Sequence, residues 1–161
     1  MEKFKKEETY IRNAKYKKVF NELLELLPEY FFRVPASSTG KYHPKFALGD
    51  GGLVRHTKVA LKIANDLLNN NSLFNTFTND EKDLLLLGIL VHDGLKLGLP
   101  EEKYTRFDHP ILISNHLKNN KDKISLNEEE LNFICDAIIT HMGEWTTDYN
   151  GNEVLERPTT K

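Results

Sequence analysis

Cysteine is almost absent: Cys135 stands alone among 161 residues, so no disulfide can close within the chain and no paired-cysteine zinc motif is available. A lone thiol fits a reducing compartment, and a cytoplasmic location is the expectation. Long apolar runs are also missing. The greasiest stretch, residues 84–91, falls far short of the roughly 18–20 residues that span a bilayer. The first eight residues, Met1-Glu2-Lys3-Phe4-Lys5-Lys6-Glu7-Glu8, lack the apolar core of a signal peptide. Charge of one sign is missing too. A net charge of -2 argues against a membrane surface or a double-stranded DNA surface read by bulk electrostatics. There is no glycine-rich loop leading into Lys-Ser/Thr and no His-Glu-x-x-His helix, which excludes a P-loop and a zincin site.

What is present is clustered hydrophobicity at helical spacing. Apolar residues make up 39% of the chain, modest for one core but concentrated enough to fill it, and the length suits a single domain over residues 1–161. Residues 10–27 predict an amphipathic helix, with Ile11, Ala14, Val19, Phe20, Leu23, Leu24, Leu26 and Leu27 on its apolar side and Pro28 closing it. Residues 36–52 read as irregular, with glycines at 49, 51 and 52 where backbone could come close to a ligand. A second helix is predicted over residues 53–69, where His56, Ala60, Ile63 and Leu67 share one face and Asn69-Asn70-Asn71-Ser72 ends it.

Thr78-Asn79-Asp80-Glu81 is a capping-box start. It opens the stretch around which the chain is organised, residues 83–96, an almost unbroken apolar run ending in His92, Asp93 and Lys96. So greasy a segment predicts a helix buried on all sides. An imidazole and a carboxylate at its buried end are expensive unless something pairs with them, and a metal ion would do so. Asp108 before His109-Pro110 predicts an N-cap for a helix through Lys118. Asn127 caps another, with Leu131, Ile134, Cys135, Ile138, His141 and Met142 at core spacing, which leaves the Cys135 thiol inert. Asn150-Gly151 predicts a small β-hairpin over residues 146–154. The expected fold is all-α, a bundle of at least five helices with that hairpin near the C-terminus.

A single histidine on an apolar face is more often a hydrogen-bonded core residue than a ligand. Here His56, His92 and His141 each sit on the inward face or end of a separate predicted helix, and His109 opens another. Bundle interiors are where histidine and carboxylate metal centres are assembled, and Asp93 supplies the acidic oxygen. Metal binding is therefore the expectation.

Gly51-Gly52-Leu53-Val54-Arg55-His56-Thr57 followed by His92-Asp93-Gly94-Leu95-Lys96 resembles the HD-domain superfamily of metal-dependent phosphohydrolases. Asp108-His109-Pro110 and Ile139-Thr140-His141-Met142-Gly143-Glu144 resemble the extra histidine motifs of members holding two metals. Residues 35–57 also resemble the HD region of certain bacterial 3′→5′ exoribonucleases. The resemblance covers roughly residues 35–143 and implies an HD-like helical bundle. It implies one metal on His56, His92 and Asp93, and a second on Asp93, His109 and His141. It also implies that Lys96 touches substrate phosphate, with Arg55 and His43 as weaker phosphate contacts.

The implied cofactor is one or two divalent transition-metal ions, with Mn, Fe, Ni, Co and Zn all open. The implied substrate is a nucleotide or oligonucleotide phosphoester, hydrolysed with Asp93 and Lys96 in catalytic roles. The chain departs from the pattern twice. Met142 stands where many relatives repeat histidine, and no later helix bears the aspartate that completes the first metal site. Asp148, water, another subunit or a missing C-terminal helix is the expected source of that ligand. Two rival readings predict different behaviour: a nucleotide- or partner-binding module with an impaired site would purify without metal, and a plain helical domain would be indifferent to chelator.

Overall fold

The computed structural model describes residues 2–41, 43–70 and 76–159. Tyr42, Asn71, Ser72, Thr160 and Lys161, on which parts of the sequence reading fall, lie outside them. Six α-helices lie among the described residues: α1 (Lys5–Glu8), α2 (Ala14–Leu26), α3 (Gly52–Leu68), α4 (Asn79–Val91), α5 (His109–Asn119) and α6 (Glu128–Ile139). The described chain is all-α, and no helix in it is long and apolar enough to cross a membrane.

Helix α4 is the central strut. It packs against α2, α3 and α6, and α5 covers the far side of α6. Leu86, Leu87, Leu90 and Val91 are almost wholly buried, as the apolar run requires. Each such side chain contributes roughly 2 kcal/mol by leaving water. Gly88 keeps the α4 surface flat where Ile134 of α6 crosses it. The predicted capping box is present at the start of α4, Thr78 with Glu81, and Asn127, expected as a cap, forms a second box with Glu130 at the start of α6. One continuous core draws side chains from Phe4 and from α2 to α6.

The helix expected through Lys96 ends at Val91, and two others differ, one at its start and one in its buried face. The first begins at Ala14 rather than residue 10, because the backbone N–H groups of Arg12 and Asn13 donate to the buried Asp83 carboxylate at 3.0 and 2.9 Å. The Asn13 side chain then caps Lys15 N. Ile11 is buried from outside the helix, Ala14 is exposed, and Tyr16 takes a core place the periodicity did not assign. On α3 the buried face is Leu53, Thr57, Leu61 and Leu68, whereas Ile63 and Leu67, expected to point inward with His56, are exposed. A helix has room for two apolar stripes, and only neighbours decide which one is covered.

The hairpin is reduced to a single antiparallel bridge between Thr147 and Glu153, with no strand among the described residues. Two of the loop glycines pack closely against protein backbone or side chains. Gly51 lies in the left-handed region at φ 68° and donates to Arg33 O, and Leu53 donates to Val34 O. A Cβ on Gly52 would stand 2.1 Å from the Ala47 carbonyl oxygen and 3.0 Å from Pro35 Cα. Both obstacles are backbone, so neither can rotate away. Gly52→Ala is expected to cost about 3 kcal/mol, read as a lowered urea midpoint; a variant as stable as the parent would contradict this packing.

Candidate metal centre

Five of the six histidines gather at one end of the bundle, and the helix ends explain how. His92 is the C-cap of α4, and His141 follows the C-cap of α6. Carbonyls in the last helical turn lack intrahelical partners. The Nδ1–H of His92 donates to Ile89 O and that of His141 to Ile138 O, each at 2.7 Å and each three residues back. His109, opening α5, makes the same bond to Arg106 O at 2.7 Å. An Nδ1–H used in this way leaves Nε2 as a bare lone pair aimed outward from the helix end, the form in which imidazole binds metal.

All four Nε2 atoms converge on Asp93, whose side chain is 4% exposed. On Oδ2, His56 stands at 3.6 Å and His92 at 3.5 Å. On Oδ1, His109 stands at 3.0 Å and His141 at 3.9 Å, with 3.3 Å between the two Nε2 atoms. Metal–ligand bonds of about 2.1 Å put neighbouring ligand atoms roughly 3.0–3.4 Å apart in octahedral or tetrahedral geometry, so these spacings are near those a bound ion requires. His56, His92 and Asp93 form one group able to hold a metal ion, and Asp93, His109 and His141 form another. Bare imidazole nitrogens facing each other and a carboxylate oxygen repel unless a cation, a proton or a metal ion, stands between them. Two helix C-termini, of α4 and α6, point their negative dipole ends at the same place.

Gly94 allows the corner to close. A Cβ there would meet Leu27 Cδ2 at 2.5 Å and Val91 O at 2.9 Å, so glycine lets the turn after Asp93 press onto the core. Lys96, itself buried, puts its ammonium 2.8 Å from Asp93 Oδ2. Burial alone would raise the Asp93 pKa; His92, Lys96 and His109 outweigh it and hold the carboxyl well below its ordinary range. Burial pushes His56 and His141 down to about 4, against the pull of Asp93, so both are neutral imidazoles at neutral pH. His56, His92 and His141 keep 25%, 15% and 20% side-chain exposure, against 3% for His109, so the centre opens to solvent on their side.

The remaining candidates divide. His43 belongs to the centre: its ring meets that of His56 edge-on at 4.9 Å, and its buried Nδ1 has no hydrogen-bond partner among the described residues. Burial and the Lys96 charge lower its pKa. Arg55, read as a phosphate contact, directs its guanidinium at the carbonyls of Phe46, Leu48 and Asp50 at 2.6, 2.7 and 2.8 Å. It clamps the loop before α3. Asp148, considered as a last ligand, is outside both groups: its carboxylate accepts from Asn150 N and Asn152 N within its own turn. The Asp108 carboxylate, expected to cap α5, instead grips Arg106 with two bonds of 2.9 Å. His116 is the ordinary core histidine, donating Nε2–H to Leu26 O. The backbone anchors on Ile89, Arg106 and Ile138 were missed, although a histidine just past an apolar helical turn is the signal for two of them.

No family model, curated protein or solved structure matches the chain.

The depressed histidine pKa values set a pH dependence for metal-free protein. The unfolded chain takes up protons near the ordinary value of 6.5, whereas folded His56 and His141 resist protonation down to about 4. Their contribution is complete above 6.5 and is lost as pH falls toward 4. Urea midpoints of chelator-treated protein are expected to fall between pH 7 and pH 4.5, and less steeply in His141→Ala. A flat profile would contradict burial of neutral imidazoles.

Proposed function

We propose that this chain is an HD-type metal-dependent phosphohydrolase acting on a nucleotide or oligonucleotide phosphoester. The observation that carries the reading is the Asp93 carboxylate, which turns one oxygen to each of two histidine pairs. The ordered motifs at His56, His92-Asp93 and Lys96 support an HD-like arrangement of α3 and α4. His56, His92, Asp93, His109 and His141 would hold divalent ions, which when bound would supply positive charge toward phosphoryl oxygens and acidify a water molecule near neutral pH.

The chain's own groups do the rest. Asp93 stays ionised and bridges the two halves. The Nδ1 anchors hold His92, His109 and His141 in the ligating tautomer, so no reorganisation is needed when charge arrives. Lys96 lies within reach of the same carboxylate and is the cation available to offset charge on a phosphoryl group. His43, at the edge of His56 with an unpartnered nitrogen, is the further polar contact for substrate. Arg55 supports the loop that holds His43 and α3 in place rather than the phosphate itself.

A binding module that holds a nucleotide without hydrolysing it is the second reading, favoured by one fact. Asp93 is the sole carboxylate in either ligand group among the described residues. Manganese-loaded protein is expected to release phosphate or nucleotide from phosphomonoester or phosphodiester substrates. His92→Ala and Asp93→Ala should lose at least about 100-fold, a loss that outer-shell partners of metals alone can reach. Metal-bound protein inert on both substrate types would favour the binding module, and unchanged activity in the variants would overturn the assignment.

A further inference from the structure

The two halves of the centre are not equivalent. Among the described residues, Asp93 Oδ1 faces the lone pairs of His109 and His141, whose rings are both pinned by Nδ1 bonds to Arg106 O and Ile138 O. Asp93 Oδ2 already carries a cation, the Lys96 ammonium at 2.8 Å. On that side His92 is pinned, but His56 has no such backbone anchor among the described residues, and its ring rests against those of His43 and His92. An ion joining His56 and His92 on Oδ2 must share one carboxylate oxygen with an ammonium, and like charges at that separation repel strongly in a buried setting.

We infer that the centre loads in order: the Asp93–His109–His141 half takes the first divalent ion, and the His56–His92–Asp93 half takes a second only as Lys96 leaves Oδ2. This rests on the metal-binding reading above. Lys96 is then an internal counter-ion that keeps the bridging carboxylate paired while its half-site has no metal. Its departure is coupled to the arrival of the second ion, so the ammonium is freed toward the solvent-open side only when both halves are filled. The device needs no movement of a helix, since a lysine stem of four methylenes suffices. It also explains why a cation of the protein sits beside ligands that could otherwise hold two ions of equal standing.

The test is titration of chelator-treated protein with Co²⁺ alone, reading visible absorption and bound metal per chain after desalting. The parent is expected to hold one ion tightly and a second only at higher concentration. His141→Ala should lose the tight ion, and His56→Ala should keep it and lose the second. Lys96→Met should tighten the second ion by roughly tenfold or more, the worth of a hydrogen bond to a charged group, while Lys96→Arg leaves it unchanged. Loss of the tight ion in His56→Ala with retention in His141→Ala, or two ions of equal affinity in the parent, would overturn the order while leaving metal binding intact. A parent that binds no Co²⁺ overturns the metal reading and the order with it.

Discussion

Everything at the functional end of this protein depends on one buried carboxylate. A charge as enclosed as Asp93 is intolerable in an apolar interior without partners, because desolvation outweighs any single favourable contact. The fold answers with the Lys96 ammonium on one oxygen and with four imidazoles whose facing nitrogens could hold a cation against either oxygen. None of these groups comes from its own turn except His92 and Lys96; the others arrive on α3, on α5 and just beyond α6. The bundle must therefore be assembled for the carboxylate to be bearable, and the carboxylate rewards assembly in one register.

Helix termini aim the site. Unpaired last-turn carbonyls of α4 and α6 are satisfied by the histidines that follow them, and the same bonds fix which nitrogen faces Asp93. Capping and the orientation of the candidate ligands are thus one interaction seen from two ends. The loop before α3 is made rigid separately, by Arg55 on three carbonyls and by backbone bonds joining residues 33–36 to residues 47–53. That rigidity presents His56 at the rim, with His43 beside it.

Legibility followed the length scale of the interaction. The capping box at Thr78, the Asn127 cap and the buried α4 run could be read because they are set by neighbours within four residues. The start of α2 could not, since a carboxylate seventy residues away takes its first N–H groups. Periodicity named an apolar stripe on α3 but chose the one left exposed at Ile63 and Leu67. Asn-Gly marked a turn correctly, yet too little chain pairs around it to make strands. Asp108 was expected as an N-cap, but its side chain goes to Arg106, and the Arg55 guanidinium bonds to loop carbonyls that no local pattern records.

What the amino-acid sequence determined alone was the set of chemical groups and their local setting: four histidines and an aspartate on helix faces or at helix ends, beside apolar runs able to bury them. Local hydrogen bonding and hydrophobic periodicity act over single turns, so they are written in consecutive residues. Only the tertiary structure decided that these groups share one carboxylate, and that its two oxygens serve different pairs. It also decided that Lys96 lies on one oxygen and not the other. Those facts depend on how four elements distant in sequence cross. Crossing is set by which side chains fill the space between helices, and no single stretch of sequence records it.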